Sequence, residues 1–182
     1  MGKNILIVSS SMSGTQNTKK LCEQFKKGAE ESLNHVELIE LKGKKINYYF
    51  GCNACQKNGD TCIQKDDVSE ILEKMIQADV IVLASPVYFY SIAGQMKTLI
   101  DRTYAKYNLL SNKAFYFILT CAVPYEEPYK NDLDVEIASL RGFIKCLPNA
   151  VEKGVIVGGN MASQKIEETS AYQETYHLGK KI

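Results

Sequence analysis

The sequence predicts a doubly wound α/β fold, in which helices cover both faces of a five-stranded parallel sheet. Two runs, Ile5–Val8 and Val80–Ala84, are wholly apolar, as is typical of strands that are buried on both faces. Segments with strand character and segments with helix character alternate five times along the 182 residues. Such units are joined by right-handed crossovers, so we expect a single domain over residues 1–182 with strand order 2-1-3-4-5.

The first half of the chain supplies two strands and two helices. Ile5–Val8 is the first strand, and the helix after it ends near Asn34, with one apolar face formed by Leu21, Cys22, Phe25 and Ala29. His35–Leu41 alternates like a strand with one exposed side, which indicates the edge of the sheet. After an irregular segment, Lys42–Lys65, we expect Asp66 and Asp67 to cap a helix whose apolar stripe is Val68, Ile71, Leu72, Met75 and Ile76.

The second half supplies three strands and three helices. We expect the third strand, Val80–Ala84, to stop at Ser85-Pro86, because proline cannot donate to a sheet, and Ser91 to cap the next helix. Ala114–Thr120 is the fourth strand, and the helix after it is stopped by Pro148. Gly154–Gly158 is the fifth strand, and the last helix begins near Glu167.

Composition excludes two classes of partner. The formal net charge is +1 and no basic block is present, so no electrostatic footprint for nucleic acid exists. No apolar run approaches the roughly 20 residues of a membrane-spanning helix, and Met1–Asn4 leads into a strand rather than a signal sequence. We therefore expect a cytoplasmic protein without membrane contact, whose six cysteines are reduced thiols or serve metal or redox chemistry.

A hydroxyl-rich loop, Ser9–Thr18, follows the first strand and leads into a helix. Backbone N–H groups and the helix dipole favour an anion there, and serine, threonine and asparagine side chains can surround a monophosphate. Neither a P-loop nor a Gly-x-Gly-x-x-Gly pattern is present, which disfavours a nucleoside triphosphate or a dinucleotide. The alternative is a capped helix after a serine-rich turn, and we expect Lys19 and Lys20 to be solvated.

An aromatic loop, Val87–Tyr90, follows the third strand. Under the order 2-1-3-4-5 the switch point lies between the first and third strands, where open α/β sheets bind ligands. The aromatic loop and the hydroxyl loop then face each other across that point. The alternative is a plain connection whose aromatic side chains pack on a neighbouring element.

The segments Ser11–Leu21 and Ser85–Arg102 resemble the flavodoxin-like NADPH-dependent FMN reductases, a family that includes NAD(P)H:quinone reductases and iron–sulfur flavoproteins. The resemblance implies a flavodoxin-like fold, FMN as cofactor, NAD(P)H as co-substrate and hydride transfer through FMN to a quinone or similar small-molecule acceptor. It also implies a homodimer or homotetramer. The implied cofactor-binding residues are Ser9, Ser11, Ser13, Thr15, Gln16, Asn17, Thr18, Pro86, Val87, Tyr88, Phe89, Ser91, Thr120 and Cys121.

The chain departs from that family at two loops. Met12-Ser13 stands where the family often has Pro-Arg, so a cation is missing near the phosphate, and Cys121–Pro124 stands where the third flavin loop is often glycine-rich. Flavin chemistry requires no protein general base, so we expect no catalytic side chain. Two other functions stay open: an electron carrier that docks to redox proteins, and a metal-binding regulatory or structural module.

Several further residues carry expectations of their own. Cys52, Cys55 and Cys62 are either structural, a redox pair with a third thiol, or part of a metal site that lacks its fourth ligand; we expect no metal. Cys22 and Cys146 lie in helical patterns and are expected in the core, and His35 and His177 at the surface. Arg102 and Asp101 are expected to form an ion pair or an interface. Five aromatic residues either form an interface between subunits or a small separate core: Tyr48, Tyr49, Phe50, Tyr104 and Tyr107.

Overall fold

Five parallel strands form the central sheet, and a computed structural model describes residues 2–182 of the chain. Its strands are β1 (Asn4–Ser9), β2 (His35–Glu40), β3 (Val80–Tyr88), β4 (Ser91–Ile92), β5 (Ala114–Thr120) and β6 (Val151–Gly158). Its α-helices are α1 (Asn17–Glu31), α2 (Val68–Gln77), α3 (Gly94–Arg102), α4 (Lys130–Lys145) and α5 (Ser170–Lys180). The order β2-β1-β3-β5-β6 is the predicted 2-1-3-4-5 order of the main strands, so the fold class and the edge position of His35–Glu40 are confirmed.

Helices pack on both faces of the sheet and create two apolar cores. The helices α2, α3 and α4 bury one face around residues such as Leu83, Met96 and Phe117. On the other face, α1 and α5 pack around Phe25 and Ile118. These last two helices touch backbone to backbone, because a Cβ built on Gly179 would lie only 2.2 Å from the Phe25 carbonyl oxygen.

The third strand does not end at Ser85-Pro86, so that prediction is wrong. It continues to Tyr88 and pairs with β5 as far as Pro86 opposite Thr120. The Ala84 carbonyl faces β1, where it accepts a hydrogen bond from the Ser10 N–H. The pairing of β1 with β3 ends at this point, with Ser9 opposite Ala84. Because backbone groups alternate sides along a strand, the missing N–H of Pro86 faces the side where β1 has already ended.

A short hairpin replaces the predicted helix start at Ser91. Ser91 and Ile92 form β4, which pairs antiparallel with Val87 and Tyr88, and α3 begins only at Gly94. The amide that follows this hairpin, Ala93 N–H, donates to the Ser85 hydroxyl at 2.9 Å. The prediction that Ser91 caps a helix is therefore wrong, because Ser91 and Ile92 pair in the hairpin instead.

The remaining boundaries differ by a few residues. The fifth main strand, β6, begins at Val151 rather than Gly154, and α5 begins at Ser170 after a 3₁₀ turn. No helix within residues 2–182 has the length and apolarity needed to cross a membrane.

Candidate functional site

Three loops meet at the carboxyl edge of the sheet, where β1, β3 and β5 end. Ser10 N–H donates to the Ala84 carbonyl at 2.9 Å, which holds the end of β1 against β3. The Thr18 and Thr120 hydroxyls hydrogen-bond each other at 2.6 Å and are buried, which fixes the start of α1 to the end of β5. The hydroxyl loop and the aromatic loop therefore leave the sheet from neighbouring strands, as the strand order predicts, and the end of β5 lies beside them.

The hydroxyl loop presents backbone N–H groups that have no protein acceptor. The residue before α1, Gln16, has left-handed backbone with φ 56°, and no side chain caps the helix. Within residues 2–182 the N–H groups of Ser13, Gly14 and Asn17–Lys19 donate to no acceptor, whereas Thr15 N–H donates to the Ser13 hydroxyl at 3.2 Å. Free N–H groups at a helix start form an anion site.

The hydroxyl groups of this loop divide into two sets. Ser9 is fully buried and its hydroxyl accepts from the Ser11 N–H at 3.4 Å, while Thr18 is bonded to Thr120. Ser13 is partly exposed and Thr15 is exposed, and their hydroxyls hydrogen-bond each other at 2.8 Å. The buried set therefore shapes the loop, whereas this exposed pair and the partly exposed amide side chain of Asn17 lie where a ligand can reach them.

The two lysines of α1 that follow the loop are ion-paired elsewhere. Lys19 Nζ lies 2.9 Å from Glu40, and Lys20 Nζ lies 2.6 Å from Glu167. The Glu40 hydrogen bond and charge raise the pKa of Lys19. The anion site thus rests on N–H dipoles and hydroxyls.

The aromatic loop is the tip of the β3–β4 hairpin. Phe89 and Tyr90 occupy its two-residue turn with φ of 49° and 53°, a conformation that normally selects asparagine or glycine. Phe89 is fully exposed, and Tyr88 and Tyr90 are about half exposed at 45% each. Bulky residues held in left-handed backbone cost free energy and concentrate at functional sites. The alternative in which these aromatic side chains pack on a neighbouring element does not describe Phe89.

The third loop begins at Cys121 and is closed against the chain after β6. Cys121 N–H donates to the Gly158 carbonyl at 3.0 Å, and Asn160 N–H donates to the Val123 carbonyl at 2.7 Å. Burial, together with the charge of Glu136, raises the pKa of the Cys121 thiol to about 11, so this group stays protonated at neutral pH. Cys121 and Thr120 are both buried, which limits what their side chains offer to a ligand.

All fourteen predicted site residues lie on these three loops or at the ends of their strands. Tyr88, Phe89, Thr15, Gln16 and Ser91 are the exposed members. Sequence reasoning missed the Ser85 hydroxyl, which donates to the Pro86 carbonyl at 2.8 Å and accepts from Ala93, and so braces the hairpin.

The cysteine segment is anchored by a buried ion pair. The Arg102 guanidinium donates to both Asp66 carboxylate oxygens, at 2.7 and 3.1 Å, and also to the Asn47 carbonyl at 2.8 Å. Burial is the largest single influence and raises the pKa of the Asp66 carboxyl, but the Arg102 hydrogen bonds and charge, together with the N–H groups of Asn47 and Val68, hold that pKa below its usual range. The expectation of an ion pair is confirmed for Arg102, whereas Asp101 pairs with Lys97 at the surface.

The three cysteines of this segment differ in exposure. Cys52 is exposed, Cys55 is buried, and Cys62 lies between these extremes with its Sγ 3.5 Å from Arg102. Among residues 2–182 no three His, Cys, Asp or Glu side chains are arranged to hold a metal ion. The contact between Cys62 and the buried Arg102 supports a structural role for this part of the segment.

Outside the loops, two predictions for cysteines have opposite outcomes. Cys22 is fully buried, and burial raises the pKa of its thiol to about 12, so its core position is confirmed. Cys146 follows α4 and is exposed, so its predicted core position is wrong. It lies outside the inward face of α4, which carries Leu140 and Ile144. His35 and His177 are exposed, as expected.

The five aromatic residues near the cysteine segment are divided between packing and exposure. Tyr104 lies between Tyr49 and Tyr107, with ring centroids 5.5 and 6.1 Å away. Tyr48 and Phe50 remain exposed. A groove of about 580 Å³ runs beside this cluster and is lined also by Phe143 and Cys146.

Comparison with protein families gives a match over most of the chain. The model of the family described as NADPH-dependent FMN reductase matches residues 3–127. An iron–sulfur flavoprotein of Archaeoglobus fulgidus is 41% identical over 86 residues, which are 47% of this chain and 39% of that protein. The chain matches less than half the length of each curated relative of this kind.

Solved structures give matches over the whole chain at low identity. An NAD(P)H:quinone oxidoreductase from Methanothermobacter marburgensis has a TM-score of 0.76 at 13% identity and covers 99% of this chain and 96% of its own. An FMN-dependent NADH-azoreductase from Bacillus anthracis in complex with FMN has a TM-score of 0.74 at 15% identity, with 98% of both chains covered. At such identities these likenesses establish the fold.

Proposed function

The chain belongs to the NADPH-dependent FMN reductase family, and we propose that it is an FMN-dependent NAD(P)H oxidoreductase that passes hydride to a small acceptor such as a quinone. The observation that carries this proposal is the convergence of three loops at one edge of the sheet. One loop offers free N–H groups, the next offers exposed aromatic rings, and the third lies beside both.

The residues at this edge fit FMN part by part. The free N–H groups of Ser13, Gly14 and Asn17–Lys19, with the hydroxyls of Ser13 and Thr15, suit the phosphate. The exposed rings of Tyr88 and Phe89 suit the flat isoalloxazine, which aromatic side chains cover by stacking. No cation stands at Met12-Ser13. The N–H dipoles of the loop take its place, because they bind phosphate without carrying a formal charge.

Bound FMN would accept and donate a hydride, and the protein holds it in place and sets its surroundings. The Thr18–Thr120 bond and the Ser10–Ala84 bond keep the loops at a fixed spacing. The Ser85 hydroxyl ties the base of the hairpin, so that the strained Phe89–Tyr90 turn keeps its position. Because Phe89 is exposed, the hairpin leaves the site open on one side, where NAD(P)H and then the acceptor can approach.

The acceptor is proposed to be a quinone or a similar small molecule. An NAD(P)H:quinone oxidoreductase and an NADH-azoreductase with the same fold support a small planar acceptor. A formal charge of +1 provides little electrostatic steering toward a charged redox protein, which favours this over the carrier function.

The first experiment measures flavin binding and turnover together. The visible spectrum of the purified protein reports bound flavin, and oxidation of NADH and NADPH is then followed with quinone, nitro and azo acceptors. We expect FMN to bind and at least one nucleotide to be oxidised. FMN-loaded protein that oxidises neither nucleotide with any acceptor would refute the proposal.

A second experiment tests the site itself. We expect the double substitution Tyr88→Ala with Phe89→Ala to weaken FMN affinity at least tenfold, because base–aromatic and ring stacking contacts are each worth about 1 kcal/mol or more. The matched control is Tyr48→Ala with Phe50→Ala, which removes two exposed aromatic rings on another surface. FMN affinity in the Tyr88→Ala with Phe89→Ala variant equal to that of the wild type would contradict the assignment.

We also propose that a second copy of the chain covers the aromatic surface of Tyr48, Phe50 and Tyr104. Exposed apolar patches mark protein interfaces, and the groove of about 580 Å³ beside this surface, lined by Tyr104, Tyr107 and Phe143, adds further apolar area for a partner to cover. Light scattering during size-exclusion chromatography measures the mass. A monomer in the wild type would contradict this, and Tyr48→Ala with Phe50→Ala should shift a dimer toward monomer.

A further inference from the structure

The strand β6 forms one edge of the central sheet. It pairs with β5 on one side, and no strand within residues 2–182 pairs with its other side. The Gly158 carbonyl accepts from the Cys121 N–H at 3.0 Å, on the β5 side. Because backbone groups alternate sides along a strand, the N–H and C=O groups of Val155 and Val157 point away from β5. No other element of the described chain supplies a hydrogen-bond partner to these groups.

The first half of β6 is protected against pairing with another chain, and the second half is not. The register with β5 shifts opposite Phe115 and Tyr116, which leaves Lys153 as an extra residue. Beside it, Glu152 accepts two hydrogen bonds from the Arg141 guanidinium of α4, at 2.6 and 2.8 Å. Bulges and charged side chains keep an edge strand from pairing further. Residues 155–158 have neither a bulge nor a charge, so their open backbone groups can accept a partner strand.

A groove of about 740 Å³ runs beside this unprotected half of β6. Residues 155–157 line it along the strand, and Tyr125 of the third loop lies at one end. One wall is α4 with Ile137, and the other is the start of α5 with Ala171. These two helices pack on opposite faces of the sheet, so the groove is a slot that continues the plane of the sheet.

The charges that line the groove favour a basic ligand. Both cations of the lining already have acidic partners: Lys130 lies 3.2 Å from Asp134, and Arg141 is bound to Glu152. Three exposed acids of the lining have no cation partner among residues 2–182, namely Glu126, Glu168 and Glu174. The groove therefore carries an excess of negative charge, which complements a partner of positive charge.

We propose that this groove binds an extended basic segment of a partner protein, which adds a strand to the sheet beside β6. The backbone of the segment hydrogen-bonds to Val155 and Val157, and every second side chain faces the acids on the α5 wall. A second copy of this chain does not fit, because the same two walls flank its own β6 and keep the two strands apart. The inference goes beyond the proposed function, since it requires neither flavin nor turnover.

The test titrates the ¹⁵N-labelled protein with a synthetic peptide of about eight residues in which lysine and threonine alternate, since threonine favours extended backbone. The matched control peptide has glutamate in place of each lysine. Amide resonances in NMR spectra give the dissociation constant, and hydrogen exchange at Val155 and Val157 reports whether a strand has paired there. All samples are kept in the same flavin state.

We expect the saturating lysine peptide to slow exchange of the Val155 and Val157 amides about tenfold, because these N–H groups gain acceptors. The glutamate peptide should bind about tenfold more weakly than the lysine peptide. Val157→Pro removes one outward N–H and keeps the pairing with β5, so it should weaken the lysine peptide about fivefold. Urea denaturation checks that this variant folds, and if it does not, the exchange rates and the charge variants decide.

The charge variants test the acids of the α5 wall. Glu168→Gln with Glu174→Gln should weaken the lysine peptide about fivefold at low salt, because exposed charge pairs each contribute a small amount. The matched control is Glu23→Gln with Asp60→Asn, which removes two exposed acids that do not line the groove. This control should bind the lysine peptide as the wild type does.

Three results would overturn the inference. The first is a lysine peptide that does not bind at millimolar concentration. The second is a bound lysine peptide that leaves exchange at Val155 and Val157 unchanged, since charge alone would then hold it. The third is equal affinity for the lysine and glutamate peptides. None of these results bears on FMN binding or turnover, so the proposed function stands or fails by its own experiments.

Discussion

Removal of the Asp66 carboxylate is predicted to be among the most destabilising changes in this chain. The Asp66 side chain is fully buried and that of Arg102 is 1% exposed. The carboxylate accepts two bonds from Arg102, one from the Asn47 N–H at 3.0 Å and one from the Val68 N–H at 3.3 Å. It therefore joins the cysteine segment, the start of α2 and the end of α3 at one point.

The expected loss of stability follows from the groups that Asp66→Ala leaves without partners. Asp66→Ala leaves the Arg102 guanidinium buried without a counter-charge, and two backbone N–H groups without acceptors. Breaking a buried ion pair from one side costs about 3–5 kcal/mol, a large part of the roughly 5–15 kcal/mol that stabilises a protein of this kind. The free energy of unfolding is measured by urea denaturation at neutral pH with and without FMN.

Two controls make this prediction sharp. Asp101→Asn removes the exposed carboxylate that pairs with Lys97, and it should cost no more than about 0.5 kcal/mol. Asp66→Ala combined with Arg102→Met removes both charges, so it should cost less than the sum of the single changes. A loss below about 1 kcal/mol for Asp66→Ala, close to the Asp101→Asn value, would refute the reasoning.

The same ion pair makes the free energy of unfolding depend on pH in the acid range. The pKa of Asp66 is lower in the folded protein than in the unfolded chain. Its stabilisation is therefore complete above the unfolded-state pKa and is lost as the pH falls through the folded-state value. Asp66→Ala should flatten the acid side of the stability profile.

Three further predictions concern packing, backbone strain and thiols. Gly179→Ala should strongly destabilise the fold because its Cβ would meet backbone of α1, whereas Gly142→Ala on open α4 should stabilise it by about 0.5–1 kcal/mol, as urea midpoints will report. Phe89→Gly should raise the unfolding free energy by about 1 kcal/mol by relieving left-handed strain at an exposed position, and a decrease would contradict that strain argument. Cys52 should be alkylated in the folded protein, while Cys22, buried and with its pKa raised to about 12, should react only on unfolding; mass spectrometry of labelled peptides distinguishes the two.

The sheet was predictable because its signals are local. Ile5–Val8 and Val80–Ala84 are wholly apolar, whereas apolar and polar residues alternate in His35–Glu40. The local pattern therefore predicts whether a strand is buried on two faces or on one. The strand order follows from those patterns and from the handedness of crossovers. The positions of the hydroxyl loop and the aromatic loop at one edge follow from the strand order.

The errors arose where pairing across the chain overrides local preference. Pro86 was expected to end a strand, yet β1 stops before it and no sheet bond is lost. Ser91 was expected to cap a helix, yet it pairs in a hairpin through an aromatic turn that local rules disfavour. Cys146 was expected in the core but is exposed. Helical periodicity does not show on which side of a helix end the neighbouring elements lie.

By itself, the sequence determined the fold class, the strand order and the loops that form the candidate site, since each depends on the apolarity or chemistry of adjacent residues. Only the tertiary structure decided which hydroxyls are free, that Asp66 and Arg102 form a buried pair, and that Glu136 is buried without a partner. These properties depend on contacts between residues 36 or 102 positions apart, or on a buried carboxyl group that has no hydrogen-bond partner among the described residues. Burial and hydrogen-bond satisfaction belong to the packed chain, so no local pattern encodes them.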